Sequence, residues 1–366
     1  MARGRLLAVL AATVLMIAAG AARGGEKPSA AAALRPPAAP PVVLETAMSV
    51  VGDHVPQCAF DGKTETYFQS GRPVKTGDAF TLTLAEPARV TRIEVLAGRP
   101  GVPEIVEGLV LETSADGQAF TQAARFEAGG AKADLGGGPV KAVRVRATAD
   151  SPARLSLREI TLAAQPPVPV FRYPIAVVLD AGEVPDMQAW CERTRGLLEQ
   201  WYPVMAEALA DADYTPPRRI QLMFRKGAKG IAATSGANIT AYDAWFKAHP
   251  DDAGAILHEG VHVIQSYPRG NPSWLVEGIA DYVRFWIFEP QTPRRRLDPS
   301  HIRHTDSYQV TAAFLAWAVQ THDPDLVRKL NAACRRGQYK DGLFKEYTGK
   351  DVDALFGEFK ESLKAK

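Results

Sequence analysis

The sequence of 366 residues contains few cysteines, which excludes a disulfide-rich fold. The three cysteines, Cys58, Cys191 and Cys334, lie far apart and cannot form a disulfide framework. At most one pair can form, with Cys191 and Cys334 as the candidate pair within one domain, and three buried thiols are the equal alternative. Their separation also argues against a cysteine-based metal site.

Concentrated charge of one sign is largely absent as well. The chain has 43 Lys and Arg residues against 41 Asp and Glu residues, so its formal net charge is only +2. The one dense basic run consists of three consecutive arginines at 294–296, which we interpret as a solvent-exposed loop. Because nucleic-acid-binding proteins usually collect positive charge on one face, we expect no nucleic-acid partner.

Long apolar runs occur only near the N terminus. Arg3 and Arg5 precede an apolar stretch from Leu6 to Ala19, and small residues follow it. This pattern predicts a secretory signal peptide over residues 1–21. A retained membrane anchor is the rival interpretation, but the stretch is short for a bilayer span and no cysteine follows it for lipid attachment. We therefore expect a secreted protein, extracellular or periplasmic, without a membrane span in its mature form.

The rest of the chain predicts two globular domains joined by linkers. Residues 22–41 are rich in Ala and Pro and predict a disordered linker. Residues 42–164 contain short β-rich runs between turn residues, which is typical of an antiparallel β-sandwich. The Pro-rich segment 165–171 is a second linker, and residues 172–366 combine strands with longer helices, which indicates an α+β domain. The strands predicted for the sandwich are Phe80–Leu84, Val90–Val95, Leu109–Thr113, Val140–Val145 and Leu155–Ile160.

A group of residues early in the sandwich region carries a family resemblance. They are Ala59-Phe60-Asp61-Gly62 with Thr64, Thr66, Tyr67 and Ser70, the strand around Ile93, and the late strand ending at Ile160-Thr161-Leu162. The region resembles discoidin, or coagulation factor C-terminal-type (F5/8 type C), domains. Such domains often bind sugars or lipid headgroups, which implies a glycan or cell-surface ligand, and a packing or spacer role is the alternative. The fold does not determine the binding loops, so we predict no ligand residues.

The strongest chemical signal in the sequence is His258-Glu259-Gly260-Val261-His262. The apolar residues around it predict a buried helix, on which two histidines four positions apart project from one face. Their ring nitrogens can bind one zinc ion, and Glu259 lies beside that ion as the base that activates water. Two ordinary surface histidines are the alternative, but partly buried histidines and a carboxylate need compensation, which a metal supplies.

A catalytic zinc ion needs a third protein ligand and one open position. A second helix is predicted to start with Ser273 as its N-cap, and Glu277 and Asp281 share one face of this helix among apolar residues. The spacing permits Glu277 to bind the metal and Asp281 to accept a hydrogen bond from an imidazole. Exposure of both carboxylates to solvent, or pairing with Arg284 or Arg269, is the alternative.

Further stretches follow the histidine motif and Gln265 in a consistent order. They are Glu277-Gly278-Ile279-Ala280-Asp281-Tyr282-Val283-Arg284, Tyr308-Gln309-Val310-Thr311-Ala312-Ala313-Phe314-Leu315 and Tyr347-Thr348-Gly349-Lys350. Through them, roughly residues 172–363 resemble the basic secretory protein family of plant and bacterial peptidases, which are HExxH zincins. The resemblance implies a zincin-like domain, a gluzincin-like zinc metallopeptidase and a peptide or protein substrate. It also implies the ligand role of Glu277 and the partner role of Asp281.

Two residues compete for the stabilisation of the oxyanion. The family usually has Gly-Tyr before the Thr-Ala-x-Phe segment, whereas Ser307 precedes Tyr308 here and His304 stands near the position of an aromatic residue. Tyr308 can donate a hydrogen bond to a developing oxyanion; His304 is the alternative, and a packing role for Tyr308 is equally open. His301 and His304 are also the rivals of Glu277 as third ligand, although both lie in a polar loop.

These features favour a secreted zinc-dependent metallopeptidase with Zn²⁺ as its cofactor. In zincins a strand at the cleft edge usually lies before the metal-binding helix, so the resemblance implies that Gly230–Thr240 is this strand and binds an extended peptide by strand addition. A catalytically inactive carbohydrate-binding or adhesive secreted protein is the alternative, which the intact HExxH motif disfavours. A zinc hydrolase that acts on a non-peptide amide or ester is the third hypothesis.

Overall fold

The computed structural model describes residues 35–36, 40–102 and 106–364. The predicted signal peptide, residues 1–21, and most of the predicted Ala- and Pro-rich linker, residues 22–41, lie outside these ranges. Within the described ranges, no helix has both the length and the apolar character needed to cross a membrane.

The N-terminal half is built from antiparallel strands, which confirms the predicted β-sandwich. A short 3-10 turn at Pro56–Phe60 follows the first strand. The strands are β1 (Val42–Thr46), β2 (Phe68–Pro73), β3 (Ala79–Ala97), β4 (Leu109–Ser114), β5 (Thr121–Arg125), β6 (Gly130–Asp134), β7 (Pro139–Ala147) and β8 (Arg154–Gln165). Their inward-facing apolar side chains, among them Phe68, Phe80 and Ile93, form one buried core.

Strand β3 pairs with different strands along its length. Its first part pairs with β1 and β7, and its second part pairs with β6 and β8. The register shifts between Thr83 and Ala88, around Pro87, which has no N–H to donate. The sequence predicts two strands, 80–84 and 90–95, so this part of the prediction is wrong: one long strand continues through the proline with a shifted register.

In its described residues, the C-terminal half combines a small sheet with eight α-helices, in agreement with the predicted α+β class. The strands are β9 (Ala176–Asp180), β10 (Arg219–Arg225), β11 (Ala232–Ser235) and β12 (Asn238–Tyr242). The helices are α1 (Gln188–Ala208), α2 (Asp243–Ala248), α3 (Gly254–Gln265), α4 (Ser273–Tyr282), α5 (Tyr308–Thr321), α6 (Leu326–Arg335), α7 (Gly342–Thr348) and α8 (Val352–Lys364). A π-helical turn, Val283–Phe288, continues α4.

The sheet places its one antiparallel strand at an edge. Its order is β11-β12-β10-β9, with β9, β10 and β12 parallel and β11 antiparallel to β12. The predicted single strand over Gly230–Thr240 is therefore a hairpin, because Gly236, with φ of 60°, turns the chain between β11 and β12. Strand β11 keeps one backbone edge free of the sheet.

Two close helix contacts depend on glycine. A Cβ atom on Gly260 of α3 would lie 2.6 Å from the Leu198 side chain of α1, and one on Gly278 of α4 would lie 2.2 Å from the Thr311 side chain of α5. Both distances are shorter than a Cβ atom tolerates. The glycines therefore allow α3 and α4, which carry the predicted metal ligands, to pack tightly on their neighbours.

Helix α4 starts at Ser273, as predicted, but Ser273 is not its N-cap. Pro272 holds that position in an extended conformation, and no side chain caps the helix. The carbonyl of Pro272 accepts hydrogen bonds from the N–H groups of Leu275 and Val276.

The three cysteines are buried free thiols, so the candidate pair Cys191 and Cys334 forms no disulfide in this structure.

Candidate metal centre

Three predicted metal-binding side chains from two helices converge on one point. Nε2 of His258 and Nε2 of His262, both on α3, lie 3.1 Å apart. Oε2 of Glu277, on α4, lies 3.1 Å from the first nitrogen and 3.4 Å from the second. Among the described residues, this is the one group of histidine, cysteine and acidic side chains with the proximity that a metal ion requires.

Hydrogen bonds at the opposite ring nitrogens orient both imidazoles. Nδ1 of His258 lies 2.7 Å from Oδ1 of Asp281, and Nδ1 of His262 lies 2.7 Å from Oε1 of Gln265. The amide of Gln265 is itself held, because its Nε2 donates to the carbonyl of Val276 at 3.0 Å. Each Nδ1 therefore donates to an oxygen, which leaves the lone pair of each Nε2 directed at the other ring.

The donor set fits a zinc ion. Two imidazole lone pairs and a carboxylate oxygen that face one another at these distances repel unless a cation lies between them. A tetrahedral ion that binds its ligands at about 2.0–2.2 Å keeps them roughly 3.3–3.6 Å apart, close to the separations found here. Two imidazoles and one carboxylate also form a known catalytic zinc set that leaves one position open.

The ionisable side chains of the site shift one another's pKa values. Burial lowers the pKa of His258, but the hydrogen bonds to Asp281 and Glu277 outweigh it and raise that pKa to about 9. Burial raises the pKa of Glu277, but the two histidines outweigh it and lower that pKa to about 2. The carboxylates therefore favour a positive charge at the centre of the cluster, which a proton or a metal ion can supply.

Glu259 lies beside this cluster without belonging to it. Its Oε2 accepts a hydrogen bond of 2.6 Å from the hydroxyl of Thr234 on β11. The side chain lines the same cleft as the two histidines, as expected of a base that acts on water next to a metal. The contact between Thr234 and Glu259 cannot be predicted from the sequence, because these residues belong to a strand and a helix that lie apart in the chain.

Of the two residues considered for stabilising the oxyanion, Tyr308 lines the cleft, whereas His304 does not. The Tyr308 ring stacks at 6.2 Å from the His258 ring and is 55% exposed. The negative charge of Glu277, with partial burial, raises the pKa of the Tyr308 phenol, so its hydroxyl keeps the proton it would donate. His304 instead packs against Trp274 and lies 3.3 Å from Asp353.

The backbone before Tyr308 is strained. Ser307 and Tyr308 have φ values of 60° and 45°, in the left-handed region that non-glycine residues rarely adopt. Strain of this kind costs of the order of 1–3 kcal/mol per residue and is common where a side chain must be aimed at a site. Here it occurs at the residue whose ring lies 6.2 Å from that of His258.

The other residues considered as a third metal ligand, or as partners of the two carboxylates, lie outside the cluster. His301 is 82% exposed and pairs with Asp298 at 2.9 Å, so it is remote from the cluster. Arg284 pairs with Asp252 and Glu289, and neither Glu277 nor Asp281 forms an ion pair with an arginine among the described residues. The orienting role of Gln265 was not predicted, although its position three residues after His262 on the same helix was a usable signal.

The cluster lies in a large open cleft with a volume of about 1250 Å³. Strand β11, helices α3 and α4 and the start of α5 contribute its lining. The free edge of β11 is thus on the same surface as the candidate metal ligands, Glu259 and Tyr308. An extended chain that pairs with β11 would pass close to the candidate metal position.

A comparison with protein families finds a match within the C-terminal half. Residues 204–359 match the model of the family BSP, described as peptidase of plants and bacteria. The matched range includes His258, Glu259, His262 and Glu277, so the predicted family resemblance is confirmed. Among curated proteins, none matches this chain.

Several solved carbohydrate-binding modules are similar to the sandwich. CBM32-1 of a family 31 glycoside hydrolase from Clostridium perfringens is 14% identical with a TM-score of 0.29, covering 33% of this chain and 92% of that chain. Chitosan-binding module 1 of a chitosanase/glucanase from Paenibacillus sp. IK-5 is 18% identical with a TM-score of 0.29, covering 34% and 95%. The family 32 module of C. perfringens NanJ, in complex with galactose, is 13% identical with a TM-score of 0.28, covering 33% and 92%.

Proposed function

We propose that this protein is a secreted zinc-dependent metallopeptidase that hydrolyses peptide bonds. The observation that carries the proposal is the convergence of His258, His262 and Glu277 on one point, with Glu259 beside it and two oriented imidazoles. The family match of residues 204–359 supports peptidase activity.

His258, His262 and Glu277 would hold the zinc ion, which supplies Lewis-acid activation of water and of the scissile carbonyl when bound. Glu259 takes the proton from the attacking water and passes it to the leaving amine. The phenol of Tyr308 donates a hydrogen bond to the oxyanion that develops on the carbonyl oxygen. Asp281 and Gln265 hold the two imidazoles in the orientation that directs both Nε2 atoms to the ion.

The substrate backbone would bind along β11 by strand addition. This strand ends the sheet and lines the cleft, so its free N–H and C=O groups can pair with an extended peptide. The β-sandwich would bring the enzyme to a glycan or cell-surface ligand. Export would follow from the predicted signal peptide at residues 1–21.

The proposal is tested by metal analysis and peptide digestion on the same preparation. We expect the purified chain to hold one zinc ion and to cleave a peptide library, with the activity lost on chelation and restored by zinc. Glu259→Gln should keep the zinc and lose turnover, because the amide cannot accept the proton from water. Undiminished cleavage by that variant would reject the proposed base.

A second pair of variants tests the ligand set. Glu277→Ala should lower zinc affinity, whereas His301→Ala should leave it unchanged, because His301 is exposed and remote from the cluster. Zinc affinity is read by competition with a chromogenic chelator. Equal zinc affinity in the Glu277→Ala variant and the wild type would remove Glu277 from the ligand set.

A further inference from the structure

A second cavity opens beside the active-site cleft. It has a volume of about 420 Å³, and its lining includes the aromatic side chains of Trp286, Trp317 and Phe359 together with the arginine run 294–296. We call this cavity the arginine groove. The run predicted to be a solvent-exposed loop is indeed exposed, but it also forms one side of this groove.

The arginine groove is continuous with the cleft. Arg295, Leu297 and Gln309 line both cavities. Gln309 directly follows Tyr308, whose ring stacks on that of His258. A peptide that occupies the cleft therefore meets the groove a short distance beyond the candidate metal centre.

The groove and the metal centre are also built on one helical segment. Helix α4 carries Glu277 and Asp281 and runs directly into the π-helical turn that carries Trp286. The Trp286 ring stacks on that of Tyr282 at 6.4 Å, and the guanidinium of Arg294 lies 4.4 Å from the centre of the Trp286 ring. Turns of the π type occur mostly inside α-helices and are frequent at functional sites.

The charge of the groove is positive and unbalanced. No ion pair within the described residues involves Arg294, Arg295 or Arg296, and no acidic side chain is among the residues that line the groove. Arg294 is positioned by a hydrogen bond of 2.8 Å to the carbonyl of Phe285. In the adjoining cleft, Asp306 is already engaged with Arg303.

We propose that the arginine groove binds an acidic segment of the peptide substrate, so that the enzyme selects substrates with carboxylates on one side of the scissile bond. Guanidinium groups bind carboxylates in a two-pronged geometry, and the aromatic side chains that line the groove contact apolar or aromatic neighbours of the acidic residues. This inference rests on the proposed peptidase function and names the substrate class of that same site.

The test measures binding without turnover. The full-length Glu259→Gln variant, loaded with zinc, is titrated against labelled peptides that carry a cluster of glutamates, and against matched peptides with glutamine in their place. We expect the acidic peptide to bind about fivefold more tightly or better, as a few partly exposed charge pairs allow. The preference should weaken as salt screens the charges.

Variants then assign the preference to the groove. The double variant Arg295→Gln with Arg296→Gln should abolish the preference for the acidic peptide. The control is Arg193→Gln with Arg328→Gln, which removes the same charge from exposed positions on α1 and α6 and should retain the preference. Reversal of charge, Arg295→Glu with Arg296→Glu, should transfer the preference to lysine-bearing peptides. Equal binding of both peptides, or a preference that survives loss of both arginines, overturns the proposal.

Two further outcomes distinguish the acidic-segment site from the proposed peptidase function and from a nucleic-acid site. If the wild type shows no chelator-sensitive cleavage while the arginine-dependent preference persists, the peptidase proposal fails and the acidic-segment site stands. If a single-stranded oligonucleotide of equal charge binds more tightly than the acidic peptide, and loses binding in the Arg295→Gln and Arg296→Gln variant, the site is not a peptide site and the inference fails.

Discussion

At the scale of single residues, Thr234 holds the proposed base. Its hydroxyl donates to Oε2 of Glu259 at 2.6 Å from a strand that also lines the cleft. A carboxylate fixed in this way does not need to reorient before it accepts a proton, and small misplacements of a reacting group cost large factors in rate. Thr234 is therefore a positioning residue.

We predict that Thr234→Val lowers kcat by roughly ten- to a hundredfold, because the methyl group that replaces the hydroxyl leaves the Glu259 carboxylate free to rotate. KM and zinc content should change little. Steady-state kinetics and metal analysis measure these effects, and Thr234→Ser, which restores the hydroxyl, is the matched control. A Ser variant as slow as the Val variant would show that the hydrogen bond is not what matters.

Much of the site could be predicted at this scale, because its main signals are local. The spacing of His258 and His262 on one helix predicts that both rings face one ion, and the structure brings them together. Glu277 came from family resemblance, since helical spacing only permitted it. The hydrogen bond from Thr234 could not be predicted, because it depends on how a strand packs against α3.

At the scale of elements, the distance between α4 and α5 depends on Gly278. Its Cα hydrogen faces the Thr311 side chain, where a Cβ atom would lie only 2.2 Å away. The helix that carries Glu277 thereby packs directly on the helix that begins with Tyr308. A shift between the two helices would separate these side chains.

We predict that Gly278→Ala destabilises the protein by about 1–3 kcal/mol, because the added methyl group overpacks the helix contact. Gly357→Ala, on the exposed face of α8 with nothing within 4 Å, is the matched control. It should stabilise the protein by about 0.5–1 kcal/mol, as alanine does in place of a helical glycine. Denaturant unfolding measures both, and equal stability of the two variants would exclude a steric role for Gly278.

Element type was easier to predict than element boundaries. Alternating apolar residues predict the strands of the sandwich, but β3 runs through Pro87 because the pairing on both sides of this proline holds it in one strand. The predicted edge strand proved to be the hairpin of β11 and β12. In both places, pairing between distant segments decided the outcome, and a local pattern does not report such pairing.

At the scale of the whole molecule, the sandwich contains a buried acidic group of its own. Glu159 on β8 is 6% exposed and accepts a hydrogen bond from the N–H of Gly62. Burial and the nearby charge of Asp61 raise the pKa of Glu159 to about 8, from an ordinary value of 4.5. Between these two pH values, the folded state binds a proton that the unfolded state releases.

We predict that the sandwich loses stability as pH rises. The stabilisation from protonated Glu159 is complete below about pH 4.5 and is lost as pH rises through about 8. Thermal unfolding in metal-free buffer between these pH values measures the loss. Glu159→Gln, an uncharged match, should flatten this dependence, and a slope identical to that of the wild type would contradict the assignment.

The order of the two domains and their fold classes could be read from the sequence, since composition and periodicity change between residues 164 and 172. The arginine groove could not be predicted from the sequence. It is assembled from the π-helical turn after α4, the run 294–296, α5 and α8, and only the tertiary fold brings these segments together. The sequence showed the charge of the run but not the aromatic side chains opposite it.

In the proposed mode of binding, the position of β11 also limits which proteins can be cut. A chain that pairs with this edge strand must present several consecutive residues in extended form, with backbone groups not already used in its own secondary structure. Native globular proteins offer such stretches mainly in loops and termini. The shape of the target would therefore restrict the proposed hydrolysis before any side chain is read, and partial unfolding of a resistant protein should make it susceptible.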